Sequence, residues 1–276
     1  MASTFNARVE ITHIGTATAI LTVDGVTFLT DPFFSPAGSR WPTHAPELDL
    51  AVHKDPALKV EELPHIDAVL LSHENHIDNL DQLGRKLLDG RYVVTTNDGA
   101  KNLAPRPSVF GFNNWQERKM RIGGKIWTIT ATPCTHIPGH ECVGFILAAE
   151  DFGIAPDGRR NAIYFTGDTI YVPELAKMAD KYHIAITLMN LGKAILPRLN
   201  AEGEIGNPND TLQITMDGSQ AARLMRDIKS NVLVPMHFDD WDHFTQHGKD
   251  LAKEFEREGI LDMVKWLKYG EAVRIN

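Results

Sequence analysis

The chain has 276 residues, of which 43% are hydrophobic and 23% charged; these are ordinary proportions for a globular protein and exclude disordered, collagen-like and coiled-coil architectures. Lys and Arg number 28 against 36 Asp and Glu, a formal charge of −8, so there is no net field to attract phosphates, and nucleic acid and anionic membranes are not expected partners. No apolar run approaches the ~20 residues that span a bilayer, so no membrane insertion is expected. The start of the chain, Met1 to Arg8, lacks the basic and apolar stretches of a secretory signal. Cys134 and Cys142 are too few for a disulfide framework. A cytoplasmic location with reduced thiols is expected.

Val9 to His13 alternates apolar and polar side chains, as a half-buried strand does. Ala19 to Val23 and Val26 to Thr30 flank Asp24-Gly25, which predicts a β-hairpin, because Asp-Gly supplies the positive φ of a two-residue turn. Residues 35–65 are rich in Pro, Gly and His and read as a surface excursion. Ala68 to Leu71 is a short apolar run, a buried strand. A helix is predicted next, with Leu80, Leu83 and Leu87 on one face and Asp78 or Asn79 as its cap. Strands are predicted at 92–96, 125–130, 143–147, 162–166, 184–189 and 232–236. Helices are predicted from Pro173, from Gln220 to Lys229, and up to Gly259. One or two terminal strands are expected within 264–275. With no repeat and no low-complexity linker, the pattern reads as one domain over 1–276, sheet on sheet with helices outside.

Four sites share one grammar, a short apolar strand followed at once by metal-ligand residue types. Leu70-Leu71-Ser72 leads into His73-Glu74-Asn75-His76-Ile77-Asp78-Asn79. The run ending at Thr135 leads into His136, that ending at Gly167 into Asp168, and that ending at Met236 into His237. Taken singly, each His reads as a surface or hydrogen-bonded residue and Asp168 as a turn or cap. Taken jointly, strand ends on one sheet edge converge, and imidazoles with carboxylates suit Zn²⁺ or a similar ion. Asn79 also reads as part of a capping box with Gln82.

The sequence resembles the metallo-β-lactamase-fold hydrolases, whose motif is His-x-His-x-Asp-His followed by a later His, an Asp after Gly, and a final His. The similarity is greatest to the branch that includes L-ascorbate-6-phosphate lactonase and N-acyl phosphatidylethanolamine phospholipase D, through Ile11 to Thr18, Leu29-Thr30-Asp31-Pro32-Phe33 and the four sites. The resemblance implies an α+β fold, an αββα sandwich with metals at one edge of the two sheets. It implies that His73, His76 and His136 form a first metal site, that Asp168 bridges two ions, and that Asp78 and His237 serve the second. Two departures stand out. The His73–His76 spacing is one residue longer than the motif, and Asn79 occupies the place of a motif His. A weak amide there implies a weaker second site, unless Glu74 supplies a carboxylate. His13 and Asp31 match recurring positions of the branch, but a strand-borne His and a turn Asp read more readily as structural residues. His140, Trp241, His243 and Phe244 are candidates for the substrate pocket, and the loop 35–65 and the segment 196–204 for its walls or for a subunit contact.

The expected cofactor is one or two divalent ions, Zn²⁺ first and Mn²⁺ second. The expected activity is opening of a small cyclic amide or ester, a lactam or lactone, by a metal-bound hydroxide, with Asp78 and Asp168 orienting the nucleophile and taking its proton. Phosphodiester hydrolysis of a small or lipid substrate and metal binding without catalysis are the alternatives. The expected partner is a small-molecule substrate, and a homo-oligomer is compatible with the sequence.

Overall fold

The computed structural model describes residues 5–41, 50–198, 207 and 210–276. The chain opens with β1 (Val9–Gly15), β2 (Thr18–Val23) and β3 (Val26–Thr30), then a short antiparallel pair, β4 (Arg40–Trp41) and β5 (Leu50–Ala51). There follow β6 (Ala68–Leu70), α1 (Gln82–Lys86), β7 (Tyr92–Thr96), α2 (Asn97–Asn102) and β8 (Val109–Phe112). The second half holds β9 (Glu117–Ile122), β10 (Lys125–Pro133), β11 (Val143–Ala148), β12 (Arg160–Phe165), α3 (Met178–Lys181) and β13 (Tyr182–Asn190). It ends with the pair β14 (Ile195–Pro197) and β15 (Thr211–Gln213), α4 (Gly218–Ile228), β16 (Val232–Met236), α5 (Gly248–Arg257) and β17 (Ala272–Arg274).

Two sheets result, ordered β17-β1-β2-β3-β6-β7-β8 and β16-β13-β12-β11-β10-β9. Each is half antiparallel meander and half parallel: β3, β6, β7 and β8 run parallel in the first, and β12, β13 and β16 in the second. The sheets face one another across a core that includes Ile11, Leu21, Leu70 and Val94 from one side and Ile129, Phe145, Leu188 and Val234 from the other. Phe28 of β3 meets Trp127 of β10 edge to face at 4.8 Å. Outside the second sheet, Ala221, Leu224, Met225 and Ile228 of α4 and Leu251 and Phe255 of α5 pack with Tyr164, Ile184 and Leu233. Outside the first, Leu80, Leu87, Leu88 and Leu103 pack with Val69, Leu71 and Val93. The layers are therefore αββα, in the α+β class, as the resemblance implied. Burial on both faces explains why the parallel strands read as continuous apolar runs.

The hairpin forms between β2 and β3, with Asp24 and Gly25 both at positive φ. The helix after β6 is shorter than expected. Its cap is Asp81, whose carboxylate accepts from Gly84 N–H at 2.7 Å, not Asp78 or Asn79. Leu83 is accordingly exposed. Pro173 opens a 3-10 turn that leads into α3, and 264–275 yields β17 alone. Among the described residues, no helix is long and apolar enough to cross a membrane.

Candidate metal centre

The four strand-to-loop junctions come from both sheets and meet at one edge of the sandwich. His73 lies just past β6, and His76 to Leu80 form a turn in which Leu80 N–H donates to the His76 carbonyl at 3.0 Å. His136 follows β10, Asp168 follows β12, and His237 follows β16 at φ 59°. Gly167, at φ +60°, lets the chain turn against the first sheet: a Cβ there would lie 2.7 Å from the Val143 carbonyl oxygen and 2.8 Å from Ser72 Cβ. This close approach brings Asp168 to the imidazoles.

His73, His76 and His136 form one group with ligand atoms mutually within 4.8 Å. His73 Nε2 and His136 Nε2 lie 2.8 Å and 3.0 Å from His76 Nδ1. Their outer nitrogens fix the tautomers. His136 Nδ1–H donates to the Ile214 carbonyl at 2.7 Å. The Ser72 hydroxyl donates to Asp31 Oδ2 at 2.7 Å, so His73 Nδ1–H donates to Ser72 Oγ at 2.8 Å. Both inner Nε2 atoms therefore present lone pairs to one His76 nitrogen, which cannot satisfy both with a single proton. Burial holds all three below the ordinary imidazole range, His76 at about 4 with His136 adding to the effect. Three neutral imidazoles with converging lone pairs are a ready ligand set for a divalent cation.

Asp78, Asp168 and His237 form the second group. His237 Nε2 lies 3.3 Å from Asp78 Oδ2 and 3.5 Å from Asp168 Oδ2. Asp168 Oδ2 also lies 4.0 Å from His136 Nε2, so this carboxylate stands between the two groups. Burial alone would lower the pKa of His237, but Asp168 and then Asp78 outweigh it and push it up to about 9. Burial would raise Asp78, but its hydrogen bonds to His237 and His243 hold it well below the carboxylate range. Two carboxylates and an imidazole, all buried, likewise suit a divalent ion.

Two supporting residues escaped the sequence reading as parts of the site. Asn190, at the end of β13, donates to Asp168 Oδ1 at 2.7 Å; a polar residue closing an apolar strand was the signal that could have found it. Asp31 accepts from Ser72 N–H, the Ser72 hydroxyl and Asn79 Nδ2, while burial and the charge of Asp168 push it up to about 8. His13 is structural in its contacts: it donates to the Thr16 carbonyl and packs on Tyr269.

Both groups border a cleft of about 240 Å³ lined by His76, Asp78, His136, Asp168, His237 and His243, with a wall of Trp41, Leu50, Ile77, Ile137, Leu196 and Ile214. Trp41 and Leu50 of the 35–65 excursion and Leu196 thus line it; residues 42–49 and 199–204 lie outside the described residues. Four candidates stand elsewhere. Glu74 is held by Arg85 at 2.9 Å and Asn102 at 2.8 Å, which occupy its carboxylate. Asn79 directs its amide nitrogen to Asp31, and its amide oxygen is buried without a hydrogen-bond partner. Trp241 is fully buried against Phe33 and Trp41, behind the wall. His140 is exposed, bonded to Asn75, and lines a neighbouring hollow with Cys134 and Cys142.

The family model described as a beta-lactamase superfamily domain matches residues 27–238. A protein of Methanopyrus kandleri named a metal-dependent hydrolase is 24% identical over 271 residues, 95% of this chain and 98% of its own. The N-acyl-phosphatidylethanolamine-hydrolyzing phospholipase D 1 of Caenorhabditis elegans is 34% identical over 218 residues, 74% of this chain and 59% of that protein. The chain likewise covers 59% of the length of a Mycobacterium tuberculosis protein to which it is 26% identical. Among solved structures, the isothiocyanate hydrolase from Delia radicum gut bacteria has the same fold, with a TM-score of 0.73 at 19% identity over 96% of this chain and 98% of that one. The family match takes in every strand end and turn that carries the two ligand groups, and the chain belongs to the beta-lactamase superfamily.

Proposed function

We propose that the protein is a metal-dependent hydrolase that opens a small, uncharged cyclic ester or amide. The observation that carries this reading is the cleft itself. Two sets of ligand residues border it, one wall is apolar, and no Lys or Arg is among the described residues that line it. Divalent ions at the two groups would themselves supply charge for a phosphate, so it is the apolar wall beside them that favours a lactone or lactam, whose ring is uncharged and whose carbonyl needs only polarisation.

In this reading His73, His76 and His136 hold one ion, and Asp78, Asp168 and His237 hold another, with Asp168 between them. The all-imidazole set suits Zn²⁺; the carboxylate-rich set also accepts Mn²⁺. Divalent ions in such sites supply an activated water and polarise the bond under attack. Asp168 orients the attacking water and takes its proton, and Asn190 keeps that carboxylate turned inward. Ile77, Ile137 and Ile214 receive the hydrocarbon part of the substrate and exclude bulk water. Ser72 and Ile214 hold His73 and His136 in the tautomers that leave the inner nitrogens bare.

A second reading, phosphodiester hydrolysis, draws support from the 34% identity to the C. elegans phospholipase. A panel of lactones, lactams and bis-p-nitrophenyl phosphate, given to Zn²⁺- or Mn²⁺-loaded protein, separates the two. The expected result is ring opening that chelators abolish and added metal restores. Turnover of the phosphodiester alone would favour the second reading, and a fully loaded protein that turns over none would leave metal binding without catalysis.

A further inference from the structure

The second ligand group holds two carboxylates but a single nitrogen. Asn79, where the motif carries an imidazole, has its amide nitrogen committed to Asp31 and offers only an amide oxygen, buried and without a hydrogen-bond partner, a weaker donor than an imidazole. A different histidine stands at the gap. His243 lies on the loop that carries His237, and its Nε2 is 3.5 Å from Asp78 Oδ2, the oxygen that also lies 3.3 Å from His237 Nε2. Two donors about 2.1 Å from one tetrahedral ion stand about 3.4 Å apart, so His243 Nε2 and Asp78 Oδ2 have the spacing of a shared ion, although His243 lies outside the set of Asp78, Asp168 and His237 atoms that are all within 4.8 Å of one another. The His243 side chain is 7% exposed, and its Nδ1 is buried without a hydrogen-bond partner. A buried imidazole whose Nε2 stands at this distance from a candidate ligand carboxylate is placed to share its ion.

The ring is also held in place before any ion arrives. The His243 carbonyl accepts from Ile195 N–H at 3.1 Å, and Phe244 pairs with Ala194 in an isolated bridge. The Phe244 ring packs against both His237 and His243, at 4.6 Å in each case. One aromatic side chain thus sets the positions of both imidazoles beside Asp78.

We infer that His243 is the second nitrogen ligand of the Asp78–Asp168–His237 ion and takes the place of the motif imidazole that Asn79 lacks. The inference rests on the reading of the two groups as metal sites, and it changes what that reading implies: the second site becomes a two-carboxylate, two-imidazole site rather than a depleted one.

The test counts ions, independently of turnover. Metal-free full-length protein, His243→Ala, His243→Gln and Asn79→Ala are titrated with Zn²⁺ by calorimetry, and bound ions are counted after dialysis. The parent and Asn79→Ala should bind two ions. Both His243 variants should bind the first ion with unchanged affinity, which also reports that they fold, and should bind the second more than about 100-fold more weakly. That loss exceeds the ~10–100-fold typical of residues that merely support a ligand. In the Co²⁺-substituted protein, one hyperfine-shifted imidazole N–H signal of the parent should vanish in both variants. A parent with one ion, a smaller loss of second-ion affinity in the His243 variants, or loss of the second ion in Asn79→Ala would overturn the inference while leaving the first site intact. A parent that binds no ion would overturn the proposed function as well.

Discussion

Ser72 is joined to Asp31 twice, its N–H donating to Oδ1 and its hydroxyl to Oδ2, each at 2.7 Å. While Asp31 is ionised the hydroxyl proton is thereby committed, and Ser72 Oγ faces His73 Nδ1 as an acceptor only. A buried carboxylate at φ 28°, far from any ligand role of its own, thus decides which nitrogen of His73 carries the proton.

Asp31→Asn should therefore weaken the first ion. The amide keeps the shape but can present a donor to Ser72, freeing the hydroxyl to donate to His73 Nδ1 and moving the imidazole proton to the inner nitrogen. A loss of about 10–100-fold in Zn²⁺ affinity is expected, the range for residues that orient a ligand. Calorimetric titration measures it, and an unchanged affinity would remove Asp31 from this role.

The two ions should respond differently to pH. In the metal-free protein the pKa values of His73, His76 and His136 are held low, so these imidazoles are already neutral at pH 7 and need lose no proton. His237, pushed up to about 9, is protonated at pH 7 and must give up its proton to coordinate. From pH 7 to 9 first-ion affinity should change only as Asp31, at about 8, ionises, while second-ion affinity rises about tenfold per unit until pH approaches 9. Titrations in buffers of different ionisation enthalpy would reveal the proton released with the second ion only.

Glu74→Ala should leave the ion count unchanged and lower stability. It removes the partner of Arg85 and Asn102 from a site where Glu74 is largely buried. Arg85 keeps 28% of its side chain in solvent, so the loss is that of a partly screened pair, about 1–3 kcal/mol. Urea unfolding gives the change. An ion lost with the substitution would instead identify Glu74 as a ligand.

Cys134 and Cys142 are free thiols with different access. Burial, and then the neighbouring Cys134, pushes the Cys142 thiol well up. In native protein Cys142 should not react with a disulfide reagent, and both should titrate after denaturation without reductant. Fewer than two thiols in the denatured chain would contradict this.

The sequence revealed those parts of the fold that local physics dictates. Val93, Val94 and Val232 to Met236 are strands by apolarity alone, and Asp24-Gly25 is a turn by its φ requirement. The charged strand Glu117–Ile122 at the edge of its sheet, and the short Val109–Phe112 with its Gly111, carry no such signal, because the partner strand forms them. The ligand residues were visible because each ends an apolar run. The place of His243 at the pocket was visible too, but the contacts of Asp31 and Asn190 were not, because each depends on which atom of a distant residue it faces. Asn79 shows the limit most directly. Its position in the motif suggested a ligand or a helix cap, and tertiary contact directs its amide nitrogen to Asp31 while Asp81 caps the helix.

His237 and its neighbours add one more consequence. His237 sits at φ 59°, Thr16, whose carbonyl accepts from His237 N–H, at 47°, and Asp239 at 71°. Each is a left-handed conformation that a side-chain-bearing residue adopts at a cost of about 1–3 kcal/mol. Thr16 and Asp239 carry folding contacts of their own, since Thr16 Oγ1 accepts from Trp241 Nε1 at 3.0 Å and Asp239 Oδ1 accepts from Gly248 N–H at 2.9 Å, whereas the His237 side chain faces only the site, so folding by itself would be better served by glycine at 237. A lineage released from metal binding would therefore drift at residue 237 first, gaining robustness as it lost the ion, while Thr16, Leu70 and Val234 stayed fixed by hydrogen bonding and packing. Glycine at that one position among descendants of this gene would be a record of where the second ion is no longer in use.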